Sequence, residues 1–223
     1  MQDNTQDNTI SFNTYNRYKK SVTLLPKSLK QEEYINLLTD PKKLIIFATG
    51  PAGTGKTMLA VMAALKAYKA GDVSKIVITR PAVGVDDEKH GFLPGDLNTK
   101  MEPWTRPIMD VMQEYYSPKD IAKMLDEQQI EISPLAFMRG RNLKDAFVIC
   151  DEMQNASINQ MKMVLTRLAS NSKMVITGDL NQTDKQFIHS NGLLDFIERL
   201  KESNSRTIAH TNFNRKDLLG IRD

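Results

Sequence analysis

The segment Gly50-Pro-Ala-Gly-Thr-Gly-Lys-Thr57 fits the pattern G-x-x-x-x-G-K-[ST], and it decides the fold class of this chain. It lies between an apolar run, Leu44–Thr49, which predicts a buried strand, and an apolar stretch, Lys56–Ala70, which predicts a helix. In this context the pattern forms a P-loop, whose backbone N–H groups surround a phosphate. The alternative is a chance glycine-rich turn, and the strand, the helix and the Lys-Thr pair together argue against it.

Each part of the P-loop has a chemical role. Gly53 and Gly55 permit backbone angles that other residues avoid, so the N–H groups from about Ala52 to Thr57 can point at one anion. The following helix adds the positive end of its dipole. Lys56 is predicted to bridge the β- and γ-phosphates, and the Thr57 hydroxyl to bind Mg²⁺. The predicted nucleotide-binding residues are Gly50, Pro51, Ala52, Gly53, Thr54, Gly55, Lys56, Thr57 and Met58.

A second motif, Ala146–Glu152 (AFVICDE), is an apolar strand that ends in two acids. In a P-loop domain we expect Asp151 to hold Mg²⁺ through water and Glu152 to accept a proton from the attacking water. A carboxylate base suits hydrolysis, whereas a small-molecule kinase would need substrate-binding residues here. The structural alternative is a solvated acidic strand end.

A third motif, Gly178–Gln182 (GDLNQ), follows the apolar run Lys173–Thr177. It falls at the carboxyl end of a predicted strand, where ligands bind in parallel sheets. Gln182 is predicted to orient the attacking water at the γ-phosphate. Alone, this pattern is also that of an ordinary turn; after an Asp-Glu strand it favours an ATPase with helicase-like architecture.

The alternation of apolar runs with helix-forming stretches predicts a doubly wound α/β domain, with a mostly parallel sheet and helices on both faces. The predicted strands are Leu44–Thr49, Lys75–Thr79, Ala146–Cys150 and Lys173–Thr177, with Ile130–Ser133 and Thr207–Ala209 as weaker candidates. The predicted helices are Lys56–Ala70, Trp104–Tyr116, Pro118–Gln128, Asn159–Ala169 and Gly192–Glu202. Pro103 and Pro107 are interpreted as breaks in regular structure near the boundary between a long loop, residues 80 to 103, and the helix that follows it.

Composition limits the remaining possibilities. The first twenty residues are polar and predict a flexible tail, so residues 21–223 are predicted to form one domain. A single cysteine, Cys150, and three histidines exclude an internal disulfide and predict no metal-ligand cluster. The chain shows neither a secretory signal nor an apolar run long enough to span a bilayer, so we expect a cytoplasmic protein with no membrane partner. The net charge of +3 does not by itself indicate a nucleic-acid partner.

From about Leu24 to Asp217 the chain resembles the PhoH-like (phosphate-starvation-inducible) ATPases, whose core is similar to the first RecA-like domain of superfamily-one helicases. The resemblance is carried by several motifs in order. They are Pro26 with Gln31, GPAGTGKT, ITRPAV (Ile78–Val83), GFLPGDL (Gly91–Leu97), SPLAFMRGR (Ser133–Arg141), AFVICDEMQN (Ala146–Asn155), QMKMVLTRL (Gln160–Leu168) and GDLNQTD (Gly178–Asp184).

The resemblance implies a RecA-like P-loop protein that binds ATP with Mg²⁺, hydrolyses it, acts on RNA and assembles into rings, with a hexamer as the expected form. It also implies that Gln31 reads adenine, and that ITRPAV contacts a single nucleic-acid strand. One position departs from the family pattern: Gly220 stands where an arginine is expected. If that arginine completes a neighbour's ATP site, Arg215 or Arg222 must replace it, or turnover is slow.

A surface for single-stranded RNA or DNA is predicted on weaker grounds. Five arginines lie in or beside the matching motifs: Arg80, Arg106, Arg139, Arg141 and Arg167. Phe137 or Trp104 could stack on a base, although a core position for either is an equal alternative.

The sequence therefore predicts an Mg²⁺-dependent ATPase with a helicase-like RecA core. Two alternatives stay open: a non-hydrolytic, ATP-responsive binding protein, and a small-molecule kinase. The second is disfavoured by Glu152 and the GDLNQ turn, which a kinase does not need.

Overall fold

The computed structural model describes residues 21–82, 97–184, 186 and 188–218, and gives the backbone alone for residues 97–103. Six strands and six longer helices alternate through these ranges. In chain order they are α1 (Leu29–Thr39), β1 (Ile45–Thr49), α2 (Lys56–Ala70), β2 (Lys75–Arg80), α3 (Leu97–Gln113), α4 (Pro118–Asp126), β3 (Ile130–Pro134), β4 (Ala146–Cys150), α5 (Ile158–Leu165), β5 (Lys173–Gly178), α6 (Gly192–Lys201) and β6 (Ile208–Asn212).

The strands form one sheet in the order β3-β2-β4-β5-β1-β6, and every pairing is parallel. Strand β5 lies between β1 and β4, the strands that lead into the P-loop and into the two acids. In the register, Thr49 of β1 lies beside Gly178 of β5 and Asn212 of β6, while Cys150 of β4 lies beside Thr79 of β2. The carboxyl ends of five strands therefore meet at one edge of the sheet.

Both faces of the sheet are covered, as continuous apolar strands require. Alternate residues of each strand point to opposite faces. In β4, for example, Phe147 and Ile149 join the core beneath α1 to α4, while Val148 and Cys150 join the core beneath α5 and α6. The predicted fold class is confirmed: this is a RecA-like P-loop domain with helices on both faces of a parallel sheet.

Local chemistry fixes the helix that follows the P-loop. Helix α2 begins after Gly55 and ends before Gly71, both of which have positive φ angles, of 84° and 78°. Glycine adopts such angles without the steric cost that a Cβ brings. The predicted bounds of this helix, 56–70, are those observed.

Helix α1 was not predicted, because its surface is largely charged and polar. It begins at an N-cap, Ser28, whose hydroxyl accepts a hydrogen bond from the backbone N–H of Gln31. Only three of its side chains, Gln31, Tyr34 and Leu38, are buried. Their spacing of three and four residues places them on one face, but a glutamine in that stripe hides the apolar pattern.

Other boundaries also differ from the prediction. Helix α3 begins at Leu97 rather than Trp104. It contains both Pro103 and Pro107, which were interpreted as breaks in regular structure. The prolines are four residues apart, so the missing backbone donors lie on one side of the helix.

Helix α5 ends at Leu165 rather than Ala169. The chain turns there because Leu143 pairs with the following segment: its N–H donates to Arg167 and its carbonyl accepts from Ala169.

Several sequence-based expectations lie outside the described residues. They are the tail 1–20, Val83 of ITRPAV, residues 91–96 of GFLPGDL, and positions 220 and 222. Within the described part of the chain, no helix combines the length and hydropathy that crossing a bilayer would need.

Candidate nucleotide-binding site

A cleft of about 240 Å³ opens where β1, β4 and β5 end. The structure brings the P-loop, both acids and the turn after β5 together around it. The lining residues are Ala52, Gly53, Gly55, Lys56, Thr57, Met58, Asp151, Glu152, Thr177, Gly178, Asp179 and Gln182. Of the predicted site residues, Gln31, Gly50, Pro51 and Thr54 lie outside this lining.

The P-loop is held from behind by the segment that follows β6. Gly50 has a φ of +129°, and a Cβ built there would lie 2.4 Å from the carbonyl oxygen of Phe213. The N–H of Phe213 donates to the carbonyl of Thr49 at 2.7 Å. Within the loop, the buried Thr54 hydroxyl donates to the Pro51 carbonyl at 2.9 Å. Gly50 is therefore required by the close approach of another backbone segment, and the loop has a fixed shape.

Lys56 lies at the base of the cleft, and its side chain is largely buried. Its ammonium Nζ donates to the carbonyls of Gly50 and Pro51, both at 2.7 Å, and to the Thr54 hydroxyl at 3.3 Å. Burial lowers the pKa of Lys56, and the negative charges of Asp179, Glu152 and Asp151 oppose that shift. These carboxylates thus favour the charged form that a phosphate would need.

Asp151 accepts two hydroxyl hydrogen bonds on the same carboxylate oxygen, Oδ1. One comes from Thr57 at 2.8 Å, and the other, shorter one comes from Thr177 at the end of β5. The Thr57 hydroxyl and the Asp151 carboxylate therefore lie side by side, and both are oxygen ligands of the kind that Mg²⁺ prefers. The described residues form no cluster of three or more acidic, His or Cys ligands. This donor set fits Mg²⁺, which usually takes one or two carboxylates and fills its other positions with water and phosphate oxygens.

Glu152 follows Asp151 in an uncommon backbone conformation. Its φ and ψ angles are 54° and 37°, in the left-handed region. For a residue with a Cβ this conformation costs on the order of 1–3 kcal/mol. The turn directs the half-buried carboxylate into the cleft, where Gln154 Nε2 donates to Glu152 Oε2 at 2.5 Å.

Gln182 is exposed at the rim of the cleft, in a short 3₁₀ helix, Leu180–Gln182. Its side-chain Nε2 donates to Asp179 Oδ2 at 2.8 Å, and its backbone N–H donates to the Asp179 carbonyl at 2.9 Å. The structure thus holds Gln182 close to the acids, with its amide bound to the turn itself.

Gln31 lies behind the P-loop and is 1% exposed. Its Nε2 donates to the Thr54 carbonyl at 3.0 Å, and its Oε1 accepts from the Lys27 N–H at 2.8 Å. Both ends of the amide are therefore bound within the protein. In this geometry Gln31 supports the P-loop, and its reading of adenine stays a prediction.

Two residues that line the cleft, Thr177 and Asp179, were given no role from the sequence. The same holds for Gln154, which hydrogen-bonds Glu152 without lining the cleft itself. A signal for Thr177 was present, because the apolar runs of β1, β2 and β5 each place a threonine, Thr49, Thr79 or Thr177, at or beside the end of the strand. Gln154 lies in the AFVICDEMQN motif, but its role depends on Asp179 after β5 and on Asn191 at the start of α6, which the sequence does not place beside it.

Most of the arginines proposed to contact nucleic acid bind other parts of the protein. The Arg80 guanidinium lies 5.3 Å from the centre of the Trp104 ring, and Arg141 pairs with Glu131 through two hydrogen bonds. The Arg141 pair also lowers the pKa of Glu131. Arg167 donates to the carbonyl of Met163 at 3.2 Å.

Phe137, in contrast, is 54% exposed on the short helix after β3, and Arg139 beside it is also exposed. The alternative of a core position for Phe137 is therefore wrong.

Comparison with known proteins gives a consistent family assignment. The model of a protein family described as "PhoH-like protein" matches residues 23–222. A "PhoH-like protein" of Bacillus subtilis is 45% identical over 188 residues, which is 84% of this chain and 57% of that protein. "Protein PhoH" of Escherichia coli K12 is 37% identical over 198 residues, which is 88% of this chain and 54% of that protein. The chain spans about half the length of these relatives.

Solved structures give weaker likenesses. The SWI2/SNF2 ATPase core of Sulfolobus solfataricus in complex with dsDNA has a TM-score of 0.46 at 15% identity, and the match covers 88% of this chain and 46% of that one. The Pif1 helicase of Candida albicans has a TM-score of 0.40 at 16% identity, with 85% and 41% covered. At these TM-scores and identities, neither likeness carries a conclusion about this chain.

Proposed function

The chain belongs to the PhoH-like family, and from that premise we propose that it binds ATP together with Mg²⁺ and hydrolyses it. One observation carries the proposal: the P-loop, the Asp151 carboxylate and the Glu152 carboxylate line the same cleft. The P-loop would hold the triphosphate, and the two acids would serve the metal and the attacking water. The roles of these residues are inferred from their chemistry and position.

Binding of the triphosphate would depend on Lys56 and the loop amides. The ammonium lies within hydrogen-bond distance of two loop carbonyls, those of Gly50 and Pro51. A small rotation of its long side chain would exchange these carbonyls for β- and γ-phosphate oxygens. The Thr57 hydroxyl, and Asp151 through water, would hold Mg²⁺, which neutralises phosphate charge when it is bound.

Hydrolysis would use Glu152 as the general base. A water molecule attacks the γ-phosphorus, its proton passes to the Glu152 carboxylate, and the bond to the β–γ bridging oxygen breaks. The products are ADP and inorganic phosphate. The carboxylate already lies in the cleft and is held by a hydrogen bond from Gln154, which leaves its other oxygen available for water. Gln182, at the rim of the same cleft, would help to orient that water.

The charge of the cleft supports completion by a second copy of the chain. Among the described lining residues Lys56 is the only cation, whereas Asp151, Glu152 and Asp179 are acidic. A triphosphate adds further negative charge, and an additional arginine stabilises the transition state in many P-loop enzymes. We therefore propose a homo-oligomeric ring, with six subunits as the working number, in which a neighbour or the C-terminal residues supply that cation.

A coupled single-stranded RNA or DNA is the second part of the proposal. Phe137 and Arg139 support it, because an exposed aromatic ring beside a free guanidinium can stack on a base and contact a phosphate. Such binding should weaken steeply as the salt concentration rises. The competing function is a non-hydrolytic, ATP-responsive binding protein, and the single cation in the described lining favours it if no neighbour contributes.

The test is phosphate release by the Glu152→Gln variant, with and without single-stranded RNA. Removing a general base slows turnover by roughly 10²–10⁴-fold, so we expect that loss in kcat while ATP still binds. The matched control is Glu127→Gln, an exposed glutamate that also accepts from a glutamine, Gln129, at the opposite end of the sheet. Undiminished hydrolysis by Glu152→Gln would show that the base is misassigned. ATP binding by the wild type without phosphate release would favour the non-hydrolytic function.

A further inference from the structure

Gln154 is the buried residue whose side-chain amide hydrogen-bonds the proposed base, Glu152. It lies in the short helix Met153–Asn155, directly after the two acids, and is 1% exposed. Its backbone carbonyl accepts from the side-chain Nδ2 of Asn191, the N-cap of α6, at 2.9 Å. The backbone of Gln154 is therefore fixed by a different part of the fold.

The side-chain amide of Gln154 bridges two strand ends. Its Nε2 donates to Glu152 Oε2 at 2.5 Å, and its Oε1 accepts from the backbone N–H of Asp179 at 3.2 Å. A neutral amide carries a donor and an acceptor, and both are used here. Because glutamate is an acceptor only and the N–H is a donor only, the orientation of the amide is determined.

Close packing keeps this bridge in place. A Cβ built on Gly178 would lie 2.9 Å from Gln154 Oε1 and 2.5 Å from Leu193 Cδ2. There is consequently no room for a side chain between the end of β5 and Gln154. Leu193 and Gln154 together explain the glycine of the GDLNQ motif, because a side chain there would displace both.

The bridge belongs to a longer chain of hydrogen bonds. Asp179, whose N–H binds Gln154, also accepts from Gln182 Nε2 at 2.8 Å. Glu152, Gln154, Asp179 and Gln182 thus form a continuous series between the two side chains that would act on the attacking water. A shift in the turn after β5 would move the amide and, with it, the carboxylate.

We infer that Gln154 is a positioning residue that fixes the carboxylate of Glu152 relative to the turn Gly178–Gln182. The inference rests on the proposed function, because it concerns the geometry of the same base. Glu152 holds a strained backbone angle, and its side chain would otherwise rotate freely at the half-exposed rim. One donor from a buried, immobile amide removes that freedom without entering the space of the substrate.

Gln154→Glu separates positioning from folding. The introduced carboxylate still accepts from the Asp179 N–H but cannot donate to Glu152, and it repels Glu152 when both are charged. At lower pH the two carboxyls share a proton, which restores a donor between them. A merely structural role for Gln154 would not produce such recovery. The matched control is Gln129→Glu, which removes the same amide-to-glutamate hydrogen bond at the amino end of β3.

We would measure kcat from about pH 6 to pH 8, together with the affinity for a non-hydrolysable ATP analogue and the thermal midpoint. For Gln154→Glu at pH 8 we expect a fall in kcat of about tenfold or more, because small displacements of a catalytic group are costly. The affinity should stay within about threefold of wild type, as expected when the lost interaction acts only in the transition state. The ratio of variant to wild-type kcat should rise as the pH falls. Gln129→Glu should match wild type throughout.

An unchanged kcat in a folded variant would overturn the inference, and so would parallel losses of kcat, affinity and thermal midpoint without recovery at low pH. If Gln154→Glu does not fold, Gln154→Met serves instead. It fills similar volume without a donor and should lose kcat at every pH while it retains affinity. A wild type that releases no phosphate would reject the proposed function itself, whereas a wild type that turns over beside a fully active Gln154→Met would reject only the positioning role.

Discussion

The two ends of the sheet carry cavities of opposite character. At the carboxyl ends of the strands a cleft of about 240 Å³ is lined by the P-loop and the carboxylates of Asp151, Glu152 and Asp179. At the amino ends a groove of about 910 Å³ lies between the end of α1, the end of α2 and the start of β5. The larger cavity therefore lies away from the residues that suggest chemistry.

Each cavity also contains a lysine whose ammonium donates to two backbone carbonyls, and the charges around the two lysines differ. Lys173, in the larger groove, donates to the carbonyls of Leu38 and Asp40 at 2.7 and 2.8 Å, which belong to the last turn of α1 and its C-cap. Burial lowers the pKa of Lys173, with only Asp40 opposing it. Lys56 is opposed by three carboxylates. A lysine that closes a helix end is structural, whereas one that faces several acids beside a glycine-rich loop is prepared for an anion.

Replacing the lysine at each end of the sheet should produce the largest difference between the two ends in ATP affinity and hydrolysis. Lys56→Ala should lower ATP affinity and hydrolysis by at least about a hundredfold, because the phosphate charge loses its counter-ion within a poorly solvated cleft. Lys173→Met should leave both unchanged. It should instead lower the free energy of unfolding by about 1–3 kcal/mol, since two carbonyls lose their donor. Calorimetric titration with ATP and urea denaturation measure the two effects.

Two outcomes would contradict this assignment. A Lys56→Ala variant that binds ATP normally would remove the basis for a phosphate site in the P-loop. A Lys173→Met variant that loses ATP affinity while it stays folded would show that the amino end of the sheet contributes to binding.

Much of the fold follows from local sequence, and the exceptions have physical causes. The strands around the cleft were predicted within one residue at each end because they are buried on both faces and continuously apolar. Helix α1 was missed because its buried stripe includes Gln31, whose partners lie in the P-loop. Strand β6 extends to Asn212, three residues beyond the predicted end, because polar side chains such as Thr211 find partners there.

The site divides in the same way. The phosphate loop is one continuous stretch of sequence, and so is the acid pair. The spacing of residues within each stretch is therefore enough to recognise it. The contacts of Thr177 and Gln154 join separate strands, and the sequence contains no record of which partner each side chain meets. Their importance could be recognised only once β5 was placed between β1 and β4.

A substitution of Thr177 should have an effect of intermediate size. Thr79 offers a matched control, because its side-chain hydroxyl has no hydrogen-bond partner among the described residues. Both are buried threonines at or beside strand ends, but the Thr177 hydroxyl donates to Asp151 whereas the Thr79 hydroxyl has no hydrogen-bond partner. Thr177→Val should raise the Mg²⁺ concentration for half-maximal turnover by about tenfold, as expected when a metal ligand loses an orienting partner. Metal affinity can be checked separately by titration of the ATP-bound protein with Mn²⁺.

Thr79→Val should leave the Mg²⁺ dependence unchanged. Because it removes a buried hydroxyl that is not hydrogen-bonded, it should also increase the free energy of unfolding, by about 1 kcal/mol. If the two valine variants behave alike, the hydrogen bond to Asp151 has no role in metal binding.

The smallest expected effect concerns His210, on the edge strand β6. Its Nε2 lies 2.7 Å from the Thr49 hydroxyl, which donates its own hydrogen to Asn212. Thr49 must therefore accept from the imidazole, which places a hydrogen on Nε2. Burial lowers the pKa of His210 from its ordinary 6.5, the charges of Lys201 and Lys30 add to the effect, and Glu33 opposes it.

The sign of the pH dependence follows from this shift. Between the lowered pKa and 6.5 the unfolded chain binds more protons than the folded one, so the free energy of unfolding rises with pH through that window. Wild type should therefore lose stability as the pH falls below 6.5. His210→Gln keeps a donor for Thr49 and should flatten this part of the curve, while His189→Gln, at an exposed position, should not. Urea denaturation between about pH 5.5 and pH 8 measures the difference, and parallel curves for wild type and His210→Gln would show that the charge of His210 does not contribute.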